Sequence, residues 1–261
     1  MPELPDVEGF RRVLAEHAVG EPVRAVEVLD EQVLHGVDAD GLRAAVSGHR
    51  FAEPQRHGKW LLAPVGDTGQ TVLLHFGMTG ALLWEDADEP RHRHDRVIFD
   101  FDGGQLRYRD MRKLTGLRLA RDERERAELL ADLGPDALTV SRAEFADRLG
   151  GLRRRLKSAL TDQSVVAGLG NLLADEILWQ ARLNPHRSTA SLSRADLMSL
   201  HGRMRTVLRE SVKAGRLPTR PSWLTGRRDE PSGSCPRCGT TLWHGRVDGR
   251  GTVWCPHCQP E

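Results

Sequence analysis

All four cysteines of the 261-residue chain fall in its last 27 residues, as Cys235-Pro-Arg-Cys238 and Cys255-Pro-His-Cys258, with sixteen residues between the pairs. Two residues between thiolates make a turn tight enough for both sulfurs to reach one ion. Two such pairs complete a tetrahedral zinc site. Four sulfurs leave no open coordination position, so the expected zinc, one per chain, is structural. The other end of the chain reads "MPELPDVE". A free α-amino group has a pKa of about 8, far below that of lysine, and is a competent nucleophile near neutral pH. Pro2 with Glu3 beside it, and Asp6 close by, is such a pairing of nucleophile and acid. The same residues also suit a proline-rich helix entrance, with acids at the positive end of the dipole. Between the termini, "QSVVAGLGNLLADEIL" sets Gly168, Gly170 and Asn171 at a junction of two helical segments. Backbone N–H groups at such a turn can cradle a phosphate, and glycine there can equally be a plain helix cap.

The elements that must position these residues are legible from periodicity. Val7, Phe10, Leu14 and Ala18 recur at helical spacing, predicting a helix over 5–18. From about 22 to 120, short apolar runs such as "KWLLAPV", "TVLLHF" and "DRVIFDF" are bounded by "GDTGQ", "DADEP" and "FDGGQ". These predict an antiparallel β-sandwich, interrupted by one helix near 39–47. Residues 121–139 break at Gly134-Pro135 and read as a connector. A Ser141–Glu144 capping box then opens a helical region containing "GLRRRLKSALTDQ", "GNLLADEILWQARL" and "SRADLMSLHGRMRTVLRESVKA". Residues 215–234 read as a loop, and Asp248-Gly249 as the turn of a hairpin between the cysteine pairs. The expected domains are 1–125, 138–220 and 230–261.

Charge is unevenly distributed. Residues 1–150 carry 20 Lys+Arg against 28 Asp+Glu, a net of −8, and residues 151–261 carry 18 against 9, a net of +9. A basic body joined to an acidic one suggests a polyanionic partner. No apolar run approaches the length of a membrane span, and the N-terminus lacks the apolar core of a secretory leader, so the expectation is a cytoplasmic protein.

The stretches "PELPDVE", "DQSVVAGLGNLLADEIL" and "CPRCG…GRGTVWCPHCQ", in this order and at this length, resemble the formamidopyrimidine-DNA glycosylase / endonuclease VIII family of base-excision repair enzymes. "RHGKWLL", "LHFGMTG" and "LRYRDMRK" resemble its internal motifs. The resemblance implies an α+β multidomain fold: an N-terminal helix with an antiparallel β-sandwich, a helix–two-turn–helix domain and a zinc-finger hairpin. It implies a monomer that acts on damaged double-stranded DNA close to the bacterial nucleoid. Pro2, freed by removal of Met1, is implied as the nucleophile, forming a Schiff base that leads to β,δ-elimination. Glu3 is implied as acid/base and Lys59 as the lysine near the reacting sugar, with Asp6 as possible support where the family often has Glu. Met78, Arg112 and Leu114 match the trio that fills the gap left by a flipped base. His94, Lys157, Gly168, Gly170, Asn171 and Arg250 are implied as further DNA-binding positions.

Departures from the family pattern are Leu114 in place of the usual aromatic wedge, Met111 where proline is usual, and Leu172-Leu173 where a tyrosine is common. The stretch 214–235 is short beside the lid that covers oxidised guanine. The expected preference is therefore endonuclease VIII-like, for oxidised or ring-saturated pyrimidines. The competing reading is a non-catalytic zinc-finger binder of damaged or structured DNA, which has no use for Pro2 and Glu3.

Overall fold

In a computed structural model, described for residues 1–230 and 232–261, the chain divides into two compact units. One holds Met1–Pro2 and Asp6–Ala131, the other Glu3–Pro5 and Asp132–Glu261.

Alternating and aliphatic runs build the first unit. Helix α1 (Leu4–His17) turns Val7 and Leu14 inward, and both are buried. Strands β1 (Ala25–Val28), β5 (Ala81–Glu85), β6 (Asp95–Phe101) and β7 (Gly104–Arg109) form one antiparallel sheet in the order β1-β6-β7-β5. Strands β2 (Gln55–His57), β3 (Trp60–Pro64), β4 (Thr71–His75) and β8 (Leu117–Ala120) form another, in the order β2-β3-β4-β8. Val72, Leu74, Val97, Phe99, Leu106 and Tyr108 share one core with α1 and with α2 (Ala39–Val46), the interrupting helix. The segment read as a connector holds a further helix, α3 (Glu123–Leu130), whose start is capped by Asp122 accepting from the Glu125 N–H at 2.8 Å. No residue of α3 is buried. Leu129 and Leu130 pack half-buried against Leu62, Leu73 and Ala120, and local Arg–Glu pairs at i,i+3 and i,i+4 spacing add support.

The second unit is helical: α4 (Arg142–Gly150), α5 (Leu156–Thr161), α6 (Asn171–Ala181) and α7 (Arg194–Lys213). Ser141 caps α4, but Glu144 pairs with Arg148 rather than closing the expected box. The reciprocal box forms instead at Ser193 and Asp196, at the start of α7. The helix expected across "GLRRRLKSALTDQ" is only the six residues of α5. Helix α6 is nearly all buried, with Leu173, Ala174, Ile177 and Leu178 in the core beside Leu200, Met204 and Leu208 of α7. The hairpin of β9 (Trp243–Val247) and β10 (Arg250–Trp254) turns at Asp248 and Gly249, with φ of +46° and +81°. Both central residues are left-handed, as a two-residue hairpin turn requires. Among the described residues, no helix is long and apolar enough to cross a membrane.

Candidate active site and nucleic-acid interface

Glu3 is a charged residue only 2% exposed, and its surroundings explain how that is tolerated. Its Oε2 accepts the N–H groups of Gly170 at 2.8 Å and Leu173 at 3.1 Å, and its Oε1 accepts that of Leu172 at 2.8 Å. These are the unpaired donors at the start of α6, where the helix dipole also favours negative charge. Hydrogen bonds to a charged group contribute roughly 1.5–3 kcal/mol each, enough to hold the carboxylate in one place. The glycines make room for it. A Cβ on Gly170 would lie 2.3 Å from Glu3 Cδ. Gly168, at φ +112°, would set a Cβ 2.6 Å from Leu4 Cδ1, and its carbonyl accepts the Leu4 N–H at 3.1 Å. This corrects the expectation that Gly168 and Gly170 form a phosphate cradle. The Gly168 N–H donates to Gln163 Oε1 at 2.9 Å and the Gly170 N–H to the chain's own N-terminal carboxylate, so the turn seats Glu3 beside Pro2. Asp6 is half-buried in the first turn of α1.

In the first unit, Lys59 lies in the tight turn between β2 and β3. Close to it, burial and then the Lys59 charge lower the pKa of His75 to about 4. His75 packs on Trp60 with ring centroids 4.8 Å apart, and its Nδ1 accepts the Gly77 N–H at 3.0 Å. The sequence reading passed over His75, although it stands three residues before Met78 in "LLHFGMTG". Met78, Met111 and Leu114 are 41%, 51% and 53% exposed, unusual for large apolar side chains. The Arg112 guanidinium reaches the Met78 sulfur at 2.9 Å, so the structure brings two of the three expected wedge residues together. His94 sits among arginines. Its Nδ1 is 3.2 Å from Arg96 Nη2, and desolvation followed by Arg93 and Arg96 lowers its pKa.

In the second unit the hairpin is held through one carbonyl. Gly251 O accepts Lys157 Nζ at 2.8 Å, Asn171 Nδ2 at 2.9 Å and Arg228 Nη2 at 3.3 Å. Lys157 also donates to Thr252 Oγ1 at 2.9 Å and faces Asp175 Oδ1 at 2.6 Å. Asp175 pairs with Arg228 and accepts the Val253 N–H at 3.2 Å. Lys157 is fully buried, so the expected contact of its ammonium with phosphate is corrected: that ammonium docks the hairpin onto α5 and α6. Burial lowers its pKa, and Asp175 opposes that shift. Asn171 likewise spends its amide on the hairpin. Arg246 and Arg250 remain exposed on either side of the turn. The sequence alone marked neither Asp175 nor Arg228, because a charge in a helix and another in a loop carry no sign of their pairing.

Part of the 215–234 loop is packed. Trp223 is 8% exposed and Leu224 fully buried. The Glu176 carboxylate accepts the Thr225 N–H at 3.0 Å, and the Thr225 hydroxyl donates to Pro218 O at 2.9 Å. Burial raises the Glu176 pKa, partly offset by its bonds to Gln180 and Thr225.

The sulfurs of Cys235, Cys238, Cys255 and Cys258 lie within 4.8 Å of one another, with Cys235–Cys258 at 3.9 Å and Cys238–Cys255 at 3.5 Å. Sulfurs at about 2.3 Å from a tetrahedral zinc are about 3.8 Å apart, so the donor set fits one structural zinc. The group is closed by the chain: the Cys258 N–H lies 3.3 Å from Cys255 Sγ and the Trp179 indole 3.3 Å from Cys235 Sγ.

Comparison with known proteins divides the chain in the same order. Residues 1–117 match the formamidopyrimidine-DNA glycosylase N-terminal domain, 133–221 the formamidopyrimidine-DNA glycosylase H2TH domain, and 234–260 the zinc finger found in FPG and IleRS. A relative from Symbiobacterium thermophilum, named formamidopyrimidine-DNA glycosylase, is 38% identical over all of this chain and 90% of its own length. The Lactococcus lactis Fpg in complex with abasic-site DNA superposes with a TM-score of 0.90 at 30% identity, covering 100% of both chains. The same protein bound to oxidized-pyrimidine DNA superposes with a TM-score of 0.90 at 29% identity, again over 100% of both chains.

Proposed function

Because the chain belongs to the formamidopyrimidine-DNA glycosylase family, we propose that it excises damaged bases from double-stranded DNA and cuts the strand at the resulting abasic site. The observation that carries this reading is the seat of Glu3 on the start of α6, which fixes a carboxyl group one peptide bond from Pro2. With Met1 attached, the proline nitrogen is an amide; removing Met1 frees a secondary amine. That amine attacks the anomeric carbon and gives up its proton to the Glu3 carboxylate; the carbon–base bond breaks with its electrons leaving on the base, which takes a proton from water; and Glu3 passes its proton to the oxygen of the opening sugar ring. The product is an iminium. As an electron sink it permits loss of a proton from the adjacent carbon and expulsion of the 3′ phosphate, then of the 5′ phosphate. Lys59 holds charge near the sugar, and Asp6 supports the N-terminal turn. A mere DNA binder has no role for a carboxylate so carefully seated beside the second residue.

On the DNA, Met78, Arg112 and Leu114 fill the space of the extruded base, while His94, Asn171 and Arg250 serve the backbone. Asn171 acts there with whatever capacity its bond to Gly251 leaves. We take 1–125, 138–220 and 230–261 as the catalytic, helical and zinc-finger domains, and the chromosome in the bacterial cytoplasm as the place of action. The preferred lesion on this reading is an oxidised or saturated pyrimidine. A loop tethered by Glu176 and by buried Trp223 is poorly suited to close over a large purine, and a loose pocket discriminates weakly between oxidised guanine and guanine.

Borohydride trapping tests the mechanism. A covalent DNA adduct is expected on the N-terminal peptide, and none when Met1 is retained behind an uncleaved tag. An adduct on a lysine would overturn it. Single-turnover excision from duplexes carrying thymine glycol, dihydrouracil, a formamidopyrimidine or oxidised guanine tests the lesion preference. Fastest removal of oxidised guanine opposite cytosine would sink that part.

A further inference from the structure

Met78 stands on the loop after β4, and Met111 and Leu114 on the loop after β7. Exposed apolar side chains gain nothing from standing in water, so some polar device must hold these loops in shape. One side chain bonds to both. Asp110, fully buried at the end of β7, accepts the Thr79 hydroxyl on Oδ1 at 2.6 Å. The same oxygen accepts the Arg112 N–H at 3.1 Å, and Oδ2 accepts the Lys113 N–H at 3.1 Å. The Arg112 N–H is shared with Thr79 Oγ1, also at 3.1 Å. The main chain of Asp110 is fixed in turn, its N–H donating to His94 O at 2.9 Å and its carbonyl accepting Arg96 Nε at 2.8 Å. Lys113 is thereby held at φ +53°, a left-handed conformation that lysine rarely adopts unaided.

We infer that Asp110 is the positioning residue for base extrusion: its carboxylate locks the Met78 loop to the Arg112–Leu114 loop as one rigid wedge. This rests on the wedge reading of Met78, Arg112 and Leu114 given above. A side chain pushed between stacked bases unstacks them only if the backbone behind it does not retreat. The Thr79–Asp110 bond is the shortest of the links between the two loops, beside the Arg112 bonds to Thr79 Oγ1 and to the Met78 sulfur. Cutting it leaves the strands and the core beneath untouched, and Asp110 itself never meets the DNA.

The test compares Asp110→Ala, Asp110→Asn, Thr79→Val and Met78→Ala in the full-length protein. Extrusion is read by stopped-flow fluorescence of 2-aminopurine beside a dihydrouracil. Binding is read on a duplex carrying tetrahydrofuran, which has no base to extrude, and stability by thermal melting. Asp110→Ala and Thr79→Val are expected to slow extrusion roughly tenfold or more, with binding to the tetrahydrofuran duplex changed less than about threefold. Asp110→Asn, which keeps an acceptor oxygen for the backbone N–H groups, should fall between them and wild type. Thr79→Val keeps the carboxylate and its backbone bonds, so it remains informative if Asp110→Ala does not fold. Wild-type extrusion in Thr79→Val and Asp110→Ala, with Met78→Ala slow, overturns the role of Asp110 alone. Wild-type extrusion in Met78→Ala overturns the wedge reading and this inference with it. Equal losses on both duplexes, tracking the melting temperature, would reduce Asp110 to a structural residue.

Discussion

A gap the size of one hydrogen atom decides where the Glu3 carboxylate sits. Gly170→Ala would put a methyl group 2.3 Å from Glu3 Cδ and 2.5 Å from its Oε1, so the Glu3 carboxylate would have to leave its three N–H partners. We expect that variant to lose base excision by about a hundredfold, the scale of a misplaced general acid. Cleavage of a pre-formed abasic site should suffer far less, because that sugar ring opens unaided; a gel assay on both substrates reads the difference. His75 makes a second prediction. In the unfolded chain its imidazole takes up a proton below about pH 6.5, but in the folded protein only near pH 4. The unfolded state therefore binds more protons between these values, and folding stability falls as pH drops through that window. Protonation would also cost the Gly77 N–H its acceptor. Urea unfolding from pH 7 to 4 should show a decline that His75→Gln flattens.

The zinc hairpin is an element that depends on two supports, the metal and the buried cations behind Gly251. Chelating the zinc should release the hairpin, changing the fluorescence of Trp243 and Trp254 and abolishing DNA binding, while the far-ultraviolet signal of the β-sandwich survives. The sandwich has its own core of Val72, Leu74, Phe99 and Tyr108, which needs no metal. Lys157→Met tests the other support. It leaves Asp175 facing Arg228 alone and strips Gly251 of one donor, so a loss of about 3 kcal/mol is expected in urea unfolding. Arg250→Ala should do the reverse, weakening DNA binding with no cost in stability, because its side chain is exposed. The hairpin and its Arg-flanked turn were legible in Asp248-Gly249 and the cysteine spacing. Its docking was not, since Lys157, expected at a DNA phosphate, and Asp175, which the sequence does not mark, lie eighteen residues apart on different helices.

At the scale of the molecule, charge sets the behaviour toward DNA. A net of +9 over residues 151–261 should release several counterions on binding, so log affinity should fall linearly and steeply with log salt concentration. Arg250→Ala should flatten that slope by about one contact and weaken binding to all sequences alike, measured by fluorescence anisotropy across salt. A flat salt response of the wild type would contradict a phosphate-dominated interface. The structure divides the chain at Ala131–Asp132, within the stretch 121–139 that the sequence marks as a connector. Helix α3 escaped notice because its apolar contacts are few, Leu129 and Leu130 half-buried against Leu62, Leu73 and Ala120, amid a run of charged residues.

The sequence alone determined whatever depends on spacing along the chain. The four cysteines, the hairpin turn, the strand alternation of the sandwich and the adjacency of Pro2 to Glu3 are local, and their chemistry follows from a few neighbouring residues. Only the tertiary structure decided which partner each polar group takes. The Gly168–Gly170 turn looked able to hold phosphate, yet its Gly168 N–H is taken by Gln163 and its Gly170 N–H by a carboxylate 167 residues away in sequence. Lys157 looked like a phosphate contact and is buried beneath the hairpin, while Asp110 and His75, inconspicuous in the sequence, bond to the loops that carry Met78 and Arg112. A backbone N–H or an ammonium group satisfies the same physical demand with any acceptor. Sequence shows that the demand exists, and folding chooses the acceptor that arrives.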